Sequence, residues 1–154
     1  MTSARAMLAH PDYKAAKAGD LDAAARLVAA LAKPLKLRAA ALRHPKAMVV
    51  PVHAEERSGR NQIPSKFADY FAYTTGLALD TGIVQSDKAG HTGANFWHRM
   101  ANRAAFDGPV EEGREYILVD DMVTTGGSLS ELRRYIEAHG GRVVEMVSMG
   151  AAQF

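Results

Sequence analysis

Apolar residues recur at three- and four-residue spacing through the first 46 positions, then give way to short unbroken apolar runs. That change of period divides the chain into a helical opening and a remainder in which strands and helices alternate. In the opening, Pro11 suits the first turn of a helix over residues 12–18, Gly19 stops it, and Asp20 is the N-cap of the next. In that second helix Leu21, Ala24, Leu27, Val28 and Leu31 share one side, Asp22, Arg26 and Lys33 take the other, and Pro34 closes it. A third helix over 35–43 carries Lys36, Arg38 and Arg43, with Lys33 before it and Lys46 after it, which reads as a solvated basic face rather than a polyanion-binding stripe. No strand-like β-branched run occurs in this opening.

From Ala47 the run Met48, Val49, Val50, Pro51 and Val52 has the continuous apolar character of a strand covered on both faces. After a polar stretch, Pro64 opens a helix through Phe67, Tyr70, Phe71 and Thr74 that Gly76 can end. Residues 77–85 form a weaker strand, interrupted by Asp80 and Gly82, and lead into a polar segment from Ser86 to about Glu112 that is too long for an idle connection. Tyr116, Ile117, Leu118 and Val119 make the next strand. A threonine/glycine turn follows, then a helix with Leu129, Leu132, Ile136 and His139 on one side, ended by Gly140 and Gly141. Residues 142–148 make a last buried strand. This alternation predicts an α/β fold with a parallel sheet and helices on both faces, with ligands at the carboxyl ends of the strands. The loops after Val52 and Val119 are then expected to face one cleft.

Composition narrows the classes. At 154 residues, 47% hydrophobic and 23% charged, the chain suits one globular domain with a sizeable core. The absence of cysteine excludes a disulfide framework and any metal site built on thiolates. No apolar run approaches the roughly 20 residues that span a bilayer, and the first ten residues lack the apolar block of a signal peptide, so a cytoplasmic protein without a membrane partner is expected. A net charge of +2 allows nucleic-acid binding without implying it.

The most informative stretch runs Tyr116-Ile-Leu-Val-Asp-Asp-Met-Val-Thr-Thr-Gly-Gly-Ser128. Thr124, Thr125, Gly126, Gly127 and Ser128 offer backbone N–H groups and hydroxyls at a helix N-terminus, which attract a phosphate dianion. Asp120 and Asp121, at the strand's end, can accept hydrogen bonds from neighbouring hydroxyls of a sugar whose phosphate sits in that cradle. Other glycine loops fail on spacing: there is no G-x-x-x-x-G-K-[ST] and no G-x-G-x-x-G, and Ser128 lacks the trailing glycine of a nucleophile elbow.

This stretch resembles the phosphoribosyl-pyrophosphate (PRPP) motif of the type I phosphoribosyltransferase family. The resemblance implies a three-layer, Rossmann-like parallel sheet over residues 47–154, preceded by an N-terminal helical segment, 1–46, where many members carry a hood over the base. It also implies that Asp120 and Asp121 hold the ribose hydroxyls and that Thr124, Thr125, Gly126, Gly127 and Ser128 wrap the 5-phosphate. A second stretch, Val52-His-Ala-Glu-Glu-Arg-Ser-Gly-Arg-Asn61, resembles the pyrophosphate loop of adenine and xanthine phosphoribosyltransferases. It maps the pyrophosphate contacts onto Glu56, Arg57, Ser58 and Gly59, with Arg60 beside them. Charge and donors there would take up the negative charge a leaving pyrophosphate gains. A third stretch, Ser86-Asp-Lys-Ala-Gly-His-Thr-Gly-Ala-Asn95, occupies the place of the loop that closes over PRPP in the family, with Lys88 and His91 as its candidate catalytic residues.

The resulting expectation is a magnesium-dependent transferase that moves the 5-phosphoribosyl group of PRPP to a nitrogen acceptor, most simply a purine-type base in nucleotide salvage, and releases pyrophosphate. Magnesium is expected on the substrate's oxygens, with Asp120 and Asp121 the protein groups nearest it, and no dedicated protein cage. A homodimer fits the family. Two other readings stay open: a PRPP- or nucleotide-binding regulatory module without turnover, and a domain of a larger protein that modifies a macromolecule. Neither the N-terminal helices nor the last four residues show a legible base pocket.

Overall fold

The computed structural model describes residues 2–53, 60–86, 106–123 and 127–151. The opening forms β1 (Thr2–Ser3), α1 (Ala4–Ala9), α2 (Tyr13–Lys17), α3 (Leu21–Leu31) and α4 (Pro34–Arg43). After these come β2 (Met48–Pro51), α5 (Ile63–Thr75), β3 (Ala78–Leu79), β4 (Val84–Gln85), β5 (Phe106–Asp107), β6 (Glu115–Val123), α6 (Gly127–Ala138) and β7 (Arg142–Ala151). Asp20 caps α3, its side chain accepting from the Ala23 N–H at 3.0 Å. Gly76, at φ 78°, takes the left-handed conformation that closes α5 and donates its N–H to Ala72 O.

Five strands form one sheet in the order β1-β7-β6-β2-β3, with every neighbouring pair parallel. β4 and β5 make a separate antiparallel ladder. The sheet separates two apolar clusters, so the molecule has three layers. On one face Val49, Ile117 and Val119 meet Ile63, Phe67 and Phe71 of α5 and Met7, Ala16, Ala24 and Leu27 of the opening helices. On the other, Val50, Tyr116 and Leu118 meet Leu129, Leu132 and Ile136 of α6, with Ile83 and Phe106. The alternation along β6 divides its side chains between the two clusters, as a strand buried on both faces requires.

Three elements differ from the sequence-based expectation. The opening is not wholly helical: Thr2 and Ser3 pair with Gly150 and Ala151, because an edge strand can be short when its partner's backbone supplies the pairing. Residues 77–85 are two strands in two sheets, with Asp80 and Gly82 at the break, where the Asp80 side chain accepts from the Gly82 N–H at 2.7 Å. Pro34 opens α4, since α3 already ends at Leu31.

β2 and β6 are neighbours, yet the chain leaves them in opposite directions. From β2 it passes through α5 outward to β3, and from β6 through α6 outward to β7. The strand order therefore reverses between β2 and β6, and the carboxyl ends of such a strand pair are where open α/β sheets bind ligands.

Candidate functional site

The pairing Pro51↔Val119 brings the tips of β2 and β6 level, and the Val52 N–H continues the ladder by donating to Val119 O at 2.9 Å. β2 ends there, and the residues that follow His53 and Val123, expected to face one cleft, lie outside the described residues. β6 does not stop at Val119. It runs through both aspartates to Val123, paired with β7 as far as Ala151.

Asp121 follows Ile117 and Val119 in the strand's alternation and is 5% exposed, the one charged residue in the buried set among the described residues. Its Oδ2 accepts from Lys17 Nζ of α2 at 3.0 Å and from Asn61 Nδ2 at 2.8 Å. Burial pushes its carboxyl up, but the Lys17 ammonium and the Asn61 amide outweigh burial and hold it below the usual carboxylate range. Burial also pulls on Lys17, whose partner Asp121 wins and raises it above the ordinary lysine value.

Asp120 is in a different position. It follows Leu118 in the alternation, is half-buried, and its Oδ1 accepts from the Asp121 N–H at 2.8 Å. Burial and the neighbouring Asp121 carboxylate push its carboxyl up to about 8. The adjacent acids thus have divided environments: Asp121 keeps its charge against a lysine, and Asp120 lacks enough compensation to ionise easily.

The remaining sequence-read residues are distributed as follows. α6 begins at Gly127, which is exposed, with Ser128 half-buried beside it, so a helix N-terminus does open just after β6. Thr124, Thr125 and Gly126 lie outside the described residues. So do Glu56, Arg57, Ser58 and Gly59, and Lys88 and His91. Arg60 is described and half-buried, at the approach to α5.

Two residues that the sequence reading gave no role, Lys17 and Asn61, join the site. Asn61 has a local signal, a short polar side chain two residues before a helix that opens Ile-Pro, and its Oδ1 accepts from the Ile63 N–H at 3.1 Å. Lys17 has none, because its partner lies 104 positions away. Among the described residues no group of three or more His, Asp or Glu could hold a metal ion.

No family model matches the chain. Over 143 residues it is 41% identical to Protein TraN of Escherichia coli, a match covering 92% of this chain and 32% of that protein. The chain thus spans about a third of the length of that curated relative. Over 82 residues, 49% of this chain and 44% of the other, it is 34% identical to the adenine phosphoribosyltransferase of Debaryomyces hansenii. Among solved structures, a crystal structure of adenine phosphoribosyltransferase superposes with a TM-score of 0.54 at 18% identity, covering 88% of this chain and 73% of that one. The fold is that of the type I phosphoribosyltransferases.

Proposed function

We propose that this chain binds PRPP at the crevice between β2 and β6 and transfers its phosphoribosyl group to a nitrogen acceptor, most simply a purine-type base, releasing pyrophosphate. One observation carries the reading: Asp120 lies one residue past the last β2–β6 pair, on the strand bordering the reversal of strand order, and α6 opens at Gly127 after that strand's end. The fold and the local similarity to an adenine phosphoribosyltransferase support it.

In this reading Asp120 accepts hydrogen bonds from the ribose hydroxyls. The first turn of α6, with Gly127 and Ser128 after Thr124, Thr125 and Gly126, anchors the 5-phosphate through N–H groups and the positive end of the helix dipole. Arg60, with Glu56, Arg57, Ser58 and Gly59, receives the pyrophosphate, whose charge grows as the glycosidic bond breaks. Lys88 and His91 close the site against water. The acceptor nitrogen's lone pair forms the new bond to the anomeric carbon while the carbon–oxygen bond to pyrophosphate breaks, with inversion and no covalent enzyme intermediate. The protein's contribution is position and charge.

Magnesium fits as a substrate-borne ion. Asp120, on whose carboxyl burial and the Asp121 charge both press, suits an approaching cation. When bound, it offsets the negative charge of the diphosphate.

The test is pyrophosphate release from PRPP and magnesium across a panel of purine and pyrimidine bases, with PRPP binding followed separately by calorimetry. Base-dependent release supports the transferase. Binding without release from any base favours the regulatory module, and absence of PRPP binding removes the reading.

A further inference from the structure

Three segments far apart in sequence converge on one oxygen, Asp121 Oδ2: Lys17 at the end of α2, Asn61 at the entry of α5, and the tip of β6 itself. Resting on the site reading above, we propose that Lys17 and Asn61 are positioning residues that fix the Arg60 backbone relative to Asp120, and so set the spacing between the pyrophosphate and ribose parts of the site.

The arrangement is over-determined, as a positioning device must be. Asn61 uses both ends of its amide, donating to Asp121 and accepting from the Ile63 N–H, so the entry of α5 cannot shift without breaking a bond to β6. The Gln62 N–H donates to Ala16 O at 3.2 Å, a second tie between the same entry and α2, one residue from Lys17. α2 is anchored at its other end, where Asp12 accepts from Arg26 of α3 at 2.9 and 3.1 Å. The Lys17 ammonium lies over the Tyr13 ring, 5.9 Å from its centroid, a cation–π contact that favours this placement of the lysine head. Arg60 directly precedes the clamped asparagine, and Asp120 directly precedes the clamped aspartate. Two groups assigned to opposite parts of one substrate are thus each one residue from a shared hydrogen-bonded centre.

The consequence separates two ligands. Ribose 5-phosphate contacts only the Asp120 and α6 side, whereas PRPP must also meet Arg60. A loosened clamp should therefore weaken PRPP selectively, because displacements of about 1 Å are enough to cost large factors in an aligned site.

The experiment is calorimetric titration of the full chain, with magnesium, by PRPP and by ribose 5-phosphate, in the wild type and in Lys17→Met, Lys17→Arg and Asn61→Ala, with melting temperatures recorded alongside. The expected result is a loss of PRPP affinity of about tenfold or more in Lys17→Met and Asn61→Ala, a change of less than about twofold for ribose 5-phosphate, and recovery of most PRPP affinity in Lys17→Arg, which keeps the charge. Equal losses for both ligands, unchanged PRPP affinity, or no recovery in a folded Lys17→Arg would overturn the clamp's positioning role. A folded wild type that binds neither ligand would overturn the site reading itself, a result distinct from these.

Discussion

Lys17 and Asp121 lie 104 positions apart in the chain and 3.0 Å apart in the fold, the aspartate buried and the lysine side chain 41% exposed. The pair joins the opening helices to the carboxyl-terminal half of the central strand. Replacing Asp121 by alanine leaves a half-buried ammonium and an asparagine amide without their acceptor. We expect a loss of about 1–2 kcal/mol, below the full cost of breaking a buried pair because water reaches the lysine. Urea denaturation at pH 7 checks it, and a variant as stable as the wild type would show that the contact is structurally idle.

Asp120→Asn should behave in the opposite way. The carboxyl of Asp120 is raised to about 8 by burial and by Asp121, so the folded state holds its proton more tightly than the unfolded chain, where an aspartate titrates near 3.8. Its contribution to stability is complete below about pH 4 and is lost as pH rises through about 8. Asparagine imitates the protonated form. Chemical denaturation from pH 5 to 9 should show the wild type losing stability relative to Asp120→Asn as pH rises, with the variant never the less stable at pH 9, while its ability to bind PRPP falls at least tenfold.

The same proton reports on ligand binding. Ribose hydroxyls and a magnesium-bearing diphosphate favour the ionised Asp120, so binding at pH 6–7 should expel a proton, and apparent affinity should rise toward pH 8. Titrations in buffers of different ionisation enthalpy measure the proton directly. A heat independent of buffer, or a released proton that survives in Asp120→Asn, would assign the linkage elsewhere.

What was legible in the sequence was what local pattern encodes. The apolar run at 48–52 and the Asp20 cap each depend on residues a few positions apart and appear in the fold within a residue or two. The run at 116–119 marks where β6 begins but not its end, which lies four residues further on at Val123 because β7 goes on pairing with it. Of the candidate site, the local elements were legible where they are contiguous in sequence: the strand carrying the acid pair and the helix start at Gly127. Hidden were the relationships that only tertiary contact creates. Two adjacent aspartates read as equivalents, yet the strand's alternation and Lys17 give them different charges. The short β1 exists because β7 offers it a partner, and nothing in Thr2-Ser3 announces it.

Gly141 tests the packing that holds β7 against α6. It is buried, and a Cβ there would meet Tyr116 Cε2 at 2.9 Å and Val110 Cγ1 at 3.0 Å, with the Ile136 side chain closer still. Two of these neighbours are themselves fully buried core residues, so they have little room to move. Gly141→Val should destabilise by about 1–3 kcal/mol, read from thermal or urea unfolding. Because the position is at the start of β7, away from the carboxyl end of β6, ligand affinity in the folded fraction should stay within about twofold of wild type.

Ser128→Asp separates helix stability from phosphate binding at the start of α6. Ser128 is the second residue of that helix, and the first turn contains no acidic residue. A carboxylate there meets the positive end of the helix dipole, worth about 0.3–1 kcal/mol at an accessible position, so the melting temperature should hold or rise. The same charge occupies the place assigned to the 5-phosphate and repels it, so affinity for PRPP and ribose 5-phosphate should fall together, by at least tenfold. That pattern differs from the selective loss expected at Lys17. Undiminished affinity in a folded Ser128→Asp protein would move the phosphate away from the α6 N-terminus and take the cradle with it.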